Sequence, residues 1–331
     1  MDIKCFESYD PQINEAHLFL RVFWDIIKGK INSIFGRYYM KGFVYILLLV
    51  VCVLTMSGLS QAVSESTEKK ETLVRMWETK PGLLVPESVL YHKESQILFV
   101  SNINGKPTEK NGEGFISRLS LDGKILDLKW AVGLNAPKGS VIYKNRFYVS
   151  DIDRLAEIDL ETGQVLAMYP APGSAFLNDV TADNMGNIYV SDMDEKASAI
   201  WRLSGGKFDV WFNGPEIRSP NGLYMEENKL MVGNSGDGKI KSIRISDKAI
   251  VDFATVGSGI DGLRPDGKGN YIVSDWQGKT SVVSPERKPV LLMDTSASQI
   301  NSADLEYVVE KQLLLIPTFF HNTVVAYQFK S

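Results

Sequence analysis

One apolar hairpin recurs six times between Glu87 and Thr318. The copies read PESVLYHKESQILFVSN (86–102), PKGSVIYKNRFYVSD (137–151), LNDVTADNMGNIYVSD (177–192), PNGLYMEENKLMVGN (220–234), IDGLRPDGKGNYIVSD (260–275) and SADLEYVVEKQLLLIPT (302–318). Aligning their second strands puts Glu87, Lys138, Asn178, Asn221, Asp261 and Ala303 in register, at steps of 51, 40, 43, 40 and 42 residues. Self-similarity at this period means one supersecondary unit stacked many times, and propeller blades have this length.

Each hairpin is followed by two more strand-like runs around a turn, such as FISRLSL-DGK-ILDLKW (115–130) and AIWRLS-GGK-FDVWF (199–212). β-branched and aromatic residues alternate in them, and turn formers separate them. After Val63 no ten residues carry a convincing period of 3.6. The unit is therefore four antiparallel strands, a to d. The sixth unit runs out after its third strand, NTVVAYQF (322–329), while ETLVRMWE (71–78) resembles a missing fourth. Docking it there closes the ring and hides the sheet edges. The expected fold is all-β, a six-bladed propeller of four-stranded blades completed by an N-terminal strand.

The first 62 residues differ from the rest. From Met40 a short basic start leads into FVYILLLVVCVLTM (43–56) and then small residues ending at Ala62. That is the pattern of a secretory signal, and 43–56 is short of the roughly 20 residues of a spanning helix. Residues 40–62 are thus expected to be a signal peptide, or a short membrane anchor if uncleaved. Residues 1–39, upstream of it, read as a start assigned too early or as a cytoplasmic tail. The propeller, 63–331, is expected outside the cytoplasm, periplasmic or secreted. Both cysteines, Cys5 and Cys52, precede the cut, so disulfide and thiol chemistry are not expected in the propeller. Residues 1–62 hold six of the 36 basic and five of the 40 acidic residues, leaving 30 against 35. That mild acidity does not predict a nucleic-acid partner, which needs a clustered basic face.

In a blade of this kind strand a starts at the face to which strand b returns. The aligned residues and the ends of strand b (Asn102, Asp151, Asp192, Asn234, Asp275, Thr318) are therefore expected round one mouth of the channel. Glu87, Asn178, Asn221 and Asp261 offer two carboxylates and two amide carbonyls, a set suited to a hard cation such as Ca²⁺. Asn-Asp, Asn-Gly and Asp-Gly are also ordinary turn signals. Their common register is what sets these residues apart.

The set PES…LNDV…PNGL…IDGL resembles the senescence-marker protein/gluconolactonase family of six-bladed propellers over 71–331. The resemblance implies one divalent cation, Ca²⁺ or else Zn²⁺, Mg²⁺ or Mn²⁺, held by Glu87, Asn178, Asn221 and Asp261. It also implies hydrolysis of a small-molecule lactone or related ester, with Asp261 as general base toward water or as nucleophile. Asp179 resembles a position that contacts substrate or supports a ligand, against a plain turn residue. Phe176 stands where many sugar-lactone hydrolases of the family carry an arginine, which implies a less polar substrate or another task. Lys138, in the second blade's ring position, would hold an anionic substrate, or pair with Glu87 or Asp261 in place of the metal. Trp276 is a candidate pocket wall and His321 a candidate proton shuttle, otherwise a solvated loop histidine. Gly257, Gly259 and Gly262 spell GxGxxG before a strand, which gives phosphate no helix to meet. A non-catalytic ligand- or partner-binding propeller is the rival expectation, since one fold hosts many functions. A metal-free strictosidine-synthase-like propeller is disfavoured by the complete oxygen set.

Overall fold

The computed structural model describes residues 72–330 apart from Ser258 and Glu286. The expected leader, both cysteines and the upstream extension lie outside the described residues. Within them the chain forms 24 strands, arranged as six four-stranded antiparallel sheets. The innermost strands are β2 (Pro86–His92), β6 (Pro137–Tyr143), β10 (Leu177–Ala182), β14 (Pro220–Glu226), β18 (Leu263–Pro265) and β22 (Glu306–Val308). Each contacts the next, and β22 returns to β2. The backbone itself joins this last seam, where the Asp304 N–H donates to the Glu87 carbonyl at 3.0 Å.

Ring closure follows the sequence expectation. The strand β1 (Thr72–Glu78) pairs antiparallel with β24 (Val324–Lys330), as in Leu73↔Phe329 and Glu78↔Val325. It completes the sheet of β22, β23 (Leu313–Pro317) and β24.

Period-2 alternation decides which seam each apolar side chain fills. In the first blade Leu98 and Val100 face the sixth blade with Leu315 and Val324, while Phe99 and Trp130 of the same blade face Phe147 of the second. Tyr189, Met231 and Ile272 do the same in their blades, each packed against the blade that follows. The core is thus six apolar layers between blades, and each fully buried large aliphatic or aromatic side chain contributes roughly 1.5–3 kcal/mol. A smaller cluster of Val85, Ile103, Ala136, Ile152, Ala303 and Phe319 lies at the strand-a entries of the first, second and sixth blades.

Candidate functional site at the channel mouth

Four of the aligned positions coincide with breaks in strand pairing. The ladder jumps from Pro86↔Asn102 to Ser88↔Ser101, from Pro137↔Asp151 to Ser140↔Val149, from Leu177↔Asp192 to Val180↔Val190, and from Pro220↔Asn234 to Leu223↔Val232. Glu87, Lys138, Asn178 and Asn221 are left out of the ladder by these bulges, which re-aim a side chain away from the pleat. Strained backbone leads into two of them: Val85 before Pro86 holds φ at 52° and Ser219 before Pro220 at 45°. In the fifth and sixth blades the ring residues Asp261 and Ala303 precede a short inner strand.

Two sets of residues hold these bulges. Serines just before the end of strand b reach the next blade: Ser101 donates to the Lys138 carbonyl, Ser150 to that of Asn178 and Ser274 to that of Ala303. The terminal Asx residues accept from the segment leading into strand a. Asn102 Oδ1 takes the Leu84 N–H (2.9 Å), Asp151 Oδ1 the N–H groups of Asn135 and Ala136 (2.9 and 2.8 Å), and Asn234 Oδ1 that of Arg218 (2.8 Å). These side chains were expected round the mouth. They occupy that end of the blades, but the Oδ1 atoms of these three are spent on backbone, and Asp151 Oδ2 on Arg154 (2.8 Å), rather than offered to a ligand. The recurring Ser in FVSN and YVSD was the unread signal for the serine set.

All six ring residues are buried, between 0 and 6% exposed. Glu87 Oε2, Asn178 Oδ1 and Asn221 Oδ1 have no hydrogen-bond partner. Both amides direct their nitrogens elsewhere, Asn178 Nδ2 to Met193 Sδ (2.9 Å) and Asn221 Nδ2 to Asp261 Oδ1 (2.8 Å). A buried unsatisfied acceptor costs about 1–3 kcal/mol, so three at ring positions call for a positive partner. Burial, then the charges of Asp261 and Asp304, push the Glu87 carboxyl well above its usual range. Burial raises Asp261 to about 7, against the Asn221 hydrogen bond and with Asp179 and Asp275 adding to the rise. Carboxylates this reluctant to ionise fit a site that a divalent cation completes. Among the described residues no three His, Cys, Asp or Glu side chains gather into a metal site; half of this donor set is amide oxygen.

Lys138 is fully enclosed, and burial lowers its ammonium to about 8 against the opposing charges of Glu87 and Asp151. Nζ donates to the Ala136 carbonyl (3.1 Å) and lies 4.9 Å from the centre of the Phe176 ring. It forms no salt bridge with Glu87 or Asp261; its place beside Phe176 is that of a cation over an aromatic face.

Asp179 is not a turn residue. It lies within β10, wholly buried, with Oδ1 accepting the Val180 N–H (2.7 Å) and Oδ2 the Leu223 N–H of the next blade (2.6 Å). Trp276 is 41% exposed and meets Phe319 and Phe320 edge-to-face at 5.5 and 6.0 Å. His321 ends the short turn Phe319–His321 and is exposed. A cleft lined by Val256, Gly257, Asp275 and Lys279 opens beside the fifth blade, and no ring residue lines it. The sequence reading missed Arg264 and Asp304, which are buried with Asp179 in the channel, and the partly buried Glu306 beside them.

Six four-stranded blades, closed by a strand from the N-terminal side and presenting oxygen-bearing residues at one mouth, define a six-bladed β-propeller with a polar channel entrance. No family model matches the sequence, and no curated protein matches it. Solved structures do share the fold. A gluconolactonase from Xanthomonas campestris is 16% identical, with 79% of this chain and 91% of that one covered and a TM-score of 0.58. A luciferin-regenerating enzyme is 15% identical over 79% and 97% of the two chains, TM-score 0.57. A virginiamycin B lyase from Staphylococcus aureus is 12% identical over 78% and 99%, TM-score 0.55. At such identities the likeness is one of architecture.

Proposed function

We propose that this chain is an exported, divalent-metal-dependent hydrolase acting on a small lactone or related ester. The observation that carries the reading is the trio of buried, unpartnered oxygens on Glu87, Asn178 and Asn221. With Asp261 they would hold the cation, Ca²⁺ by the hardness of the donors. A bound cation supplies Lewis acidity toward a carbonyl oxygen and its developing negative charge. Asp261 is the ring carboxylate that would carry the proton traffic. It takes a proton from the water whose oxygen adds to the carbonyl carbon. It returns that proton to the departing alkoxide as the ester bond breaks, leaving a hydroxy acid. Lys138 has N–H donors beyond its one hydrogen bond, and holds an anionic group or the oxyanion of the substrate. Phe176 and Trp276 wall the entrance with apolar surface, which favours a less polar substrate than a sugar lactone. His321 would at most relay protons from the exposed rim. Export rests on the leader-like run from Met40 to Ala62.

A panel of lactones and esters, assayed with the purified mature protein with and without chelator, tests the proposal. N-terminal sequencing of the exported form should start near Val63. Chelator-sensitive hydrolysis of at least one substrate is expected, and its loss by 10²-fold or more in Asp261→Ala. Inertness toward the whole panel by a protein that does bind a divalent cation supports the second reading, a binding propeller. Lys138 favours that reading, because an ammonium in the ring already offsets part of its negative charge.

A further inference from the structure

Along the innermost strands, one to three residues beyond the ring, the channel holds a second layer. Arg264 follows Asp261 by three residues, roughly 10 Å along an extended strand. The residue is buried, 7% exposed. Nη1 lies 3.7 Å from Asp179 Oδ2 of the third blade, Nη2 3.7 Å from Asp304 Oδ2, and Nε 3.7 Å from Glu306 Oε2, both of the sixth. Nη1 also donates to the Leu223 carbonyl of the fourth blade (3.4 Å) and to its own strand's Leu263 carbonyl (2.9 Å). One side chain thus touches the inner strands of four consecutive blades.

The same strands carry the ring. Asn178 precedes Asp179, Asn221 lies two residues before Leu223, and Asp261 three before Arg264. Glycines let them close in to backbone contact: a Cβ on Gly222 would sit 2.4 Å from the Asp261 carbonyl oxygen, and one on Gly262 2.5 Å from Leu305 N. A planar guanidinium offers five donors in several directions, which an ammonium does not. Burial works against its charge, but Asp304, Asp179 and Glu306 around it keep it protonated.

We propose that Arg264 is the positioning residue of the ring, a fixed internal cation that holds Asn178, Asn221 and Asp261 at the spacing a ligand requires. It acts through Asp179 and Leu223 and does not touch the substrate. The inference rests on the metal reading for its ligand but not for its structural arm.

Arg264→Lys keeps the charge and removes the fork. Two measurements on it are decisive: hydrogen exchange of the Val180 and Leu223 amides without added metal, and Ca²⁺ affinity by calorimetry. We expect at least tenfold faster exchange at both amides and a Kd raised at least tenfold at unchanged stoichiometry. Both values within twofold of wild type would overturn the proposal. A merely structural role would lower Tm and leave the Kd of the folded protein unmoved, which also overturns it. If Arg264→Lys does not fold, Glu306→Gln removes the charge facing Arg264 Nε and should shift both readouts in the same direction; no shift overturns the proposal. If the wild type binds no divalent cation, the metal reading falls. The exchange arm then decides for Arg264 alone, acceleration supporting it and its absence refuting it.

Discussion

At Asp261 the inside of the protein works against ionisation, and a cation would reverse that. Its carboxyl is raised from 3.8 to about 7, first by burial. Between those values the folded chain holds a proton that the unfolded chain has released. The stability this contributes is full below about pH 3.8 and is lost as the pH rises through about 7. A divalent cation binds the ionised carboxylate and displaces the proton, so it should restore stability where the loss is greatest. The rise in Tm on adding Ca²⁺ is expected to be larger at pH 8 than at pH 5 by differential scanning fluorimetry. A rise equal at the two pH values would tell against Asp261 as a ligand. Glu87, raised in the same direction by burial and by Asp261, adds to the effect.

Among the elements, the inner strands bear the strictest constraints. Behind the ring residue stand Gly139, Gly222 and Gly262 in three blades, where the neighbouring chain comes too close for a side chain. Gly222→Ala would press its methyl on the Asp261 carbonyl oxygen at 2.4 Å, and overpacking of this kind costs about 1–3 kcal/mol. Urea denaturation should show that loss, with weaker Ca²⁺ binding in the folded protein; an unchanged midpoint would mean the inner strands part freely. Much of this layer was legible in the sequence. The hairpin period gave the blades, and the shared register gave Glu87, Lys138, Asn178, Asn221 and Asp261. Asp179 was singled out, but the Arg264, Asp304 and Glu306 layer around it was not, because its partners are far apart along the chain and no spacing marks them. A charged residue inside an otherwise apolar inner strand, as in GLRP or ADLEY, was the hint available. The strand-b Asx residues were expected at the same mouth, and sequence alone does not tell an oxygen facing a channel from one facing an N–H.

For the molecule as a whole, β1 on β24 completes the last blade and the Asp304–Glu87 backbone bond joins its inner strand to the first, so the donors are held by the entire circle of blades rather than by a loop. That arrangement accounts for polar residues buried at the mouth of an otherwise apolar core. It also makes cation binding the central claim. The most direct measurement is calorimetric titration of Ca²⁺ into the purified protein and into a Glu87→Gln/Asp261→Asn variant, with circular dichroism confirming that both are folded. The account predicts one ion per chain in the wild type and none in the folded variant. A wild type that takes up no divalent cation, or a variant that binds as tightly as the wild type, would contradict it.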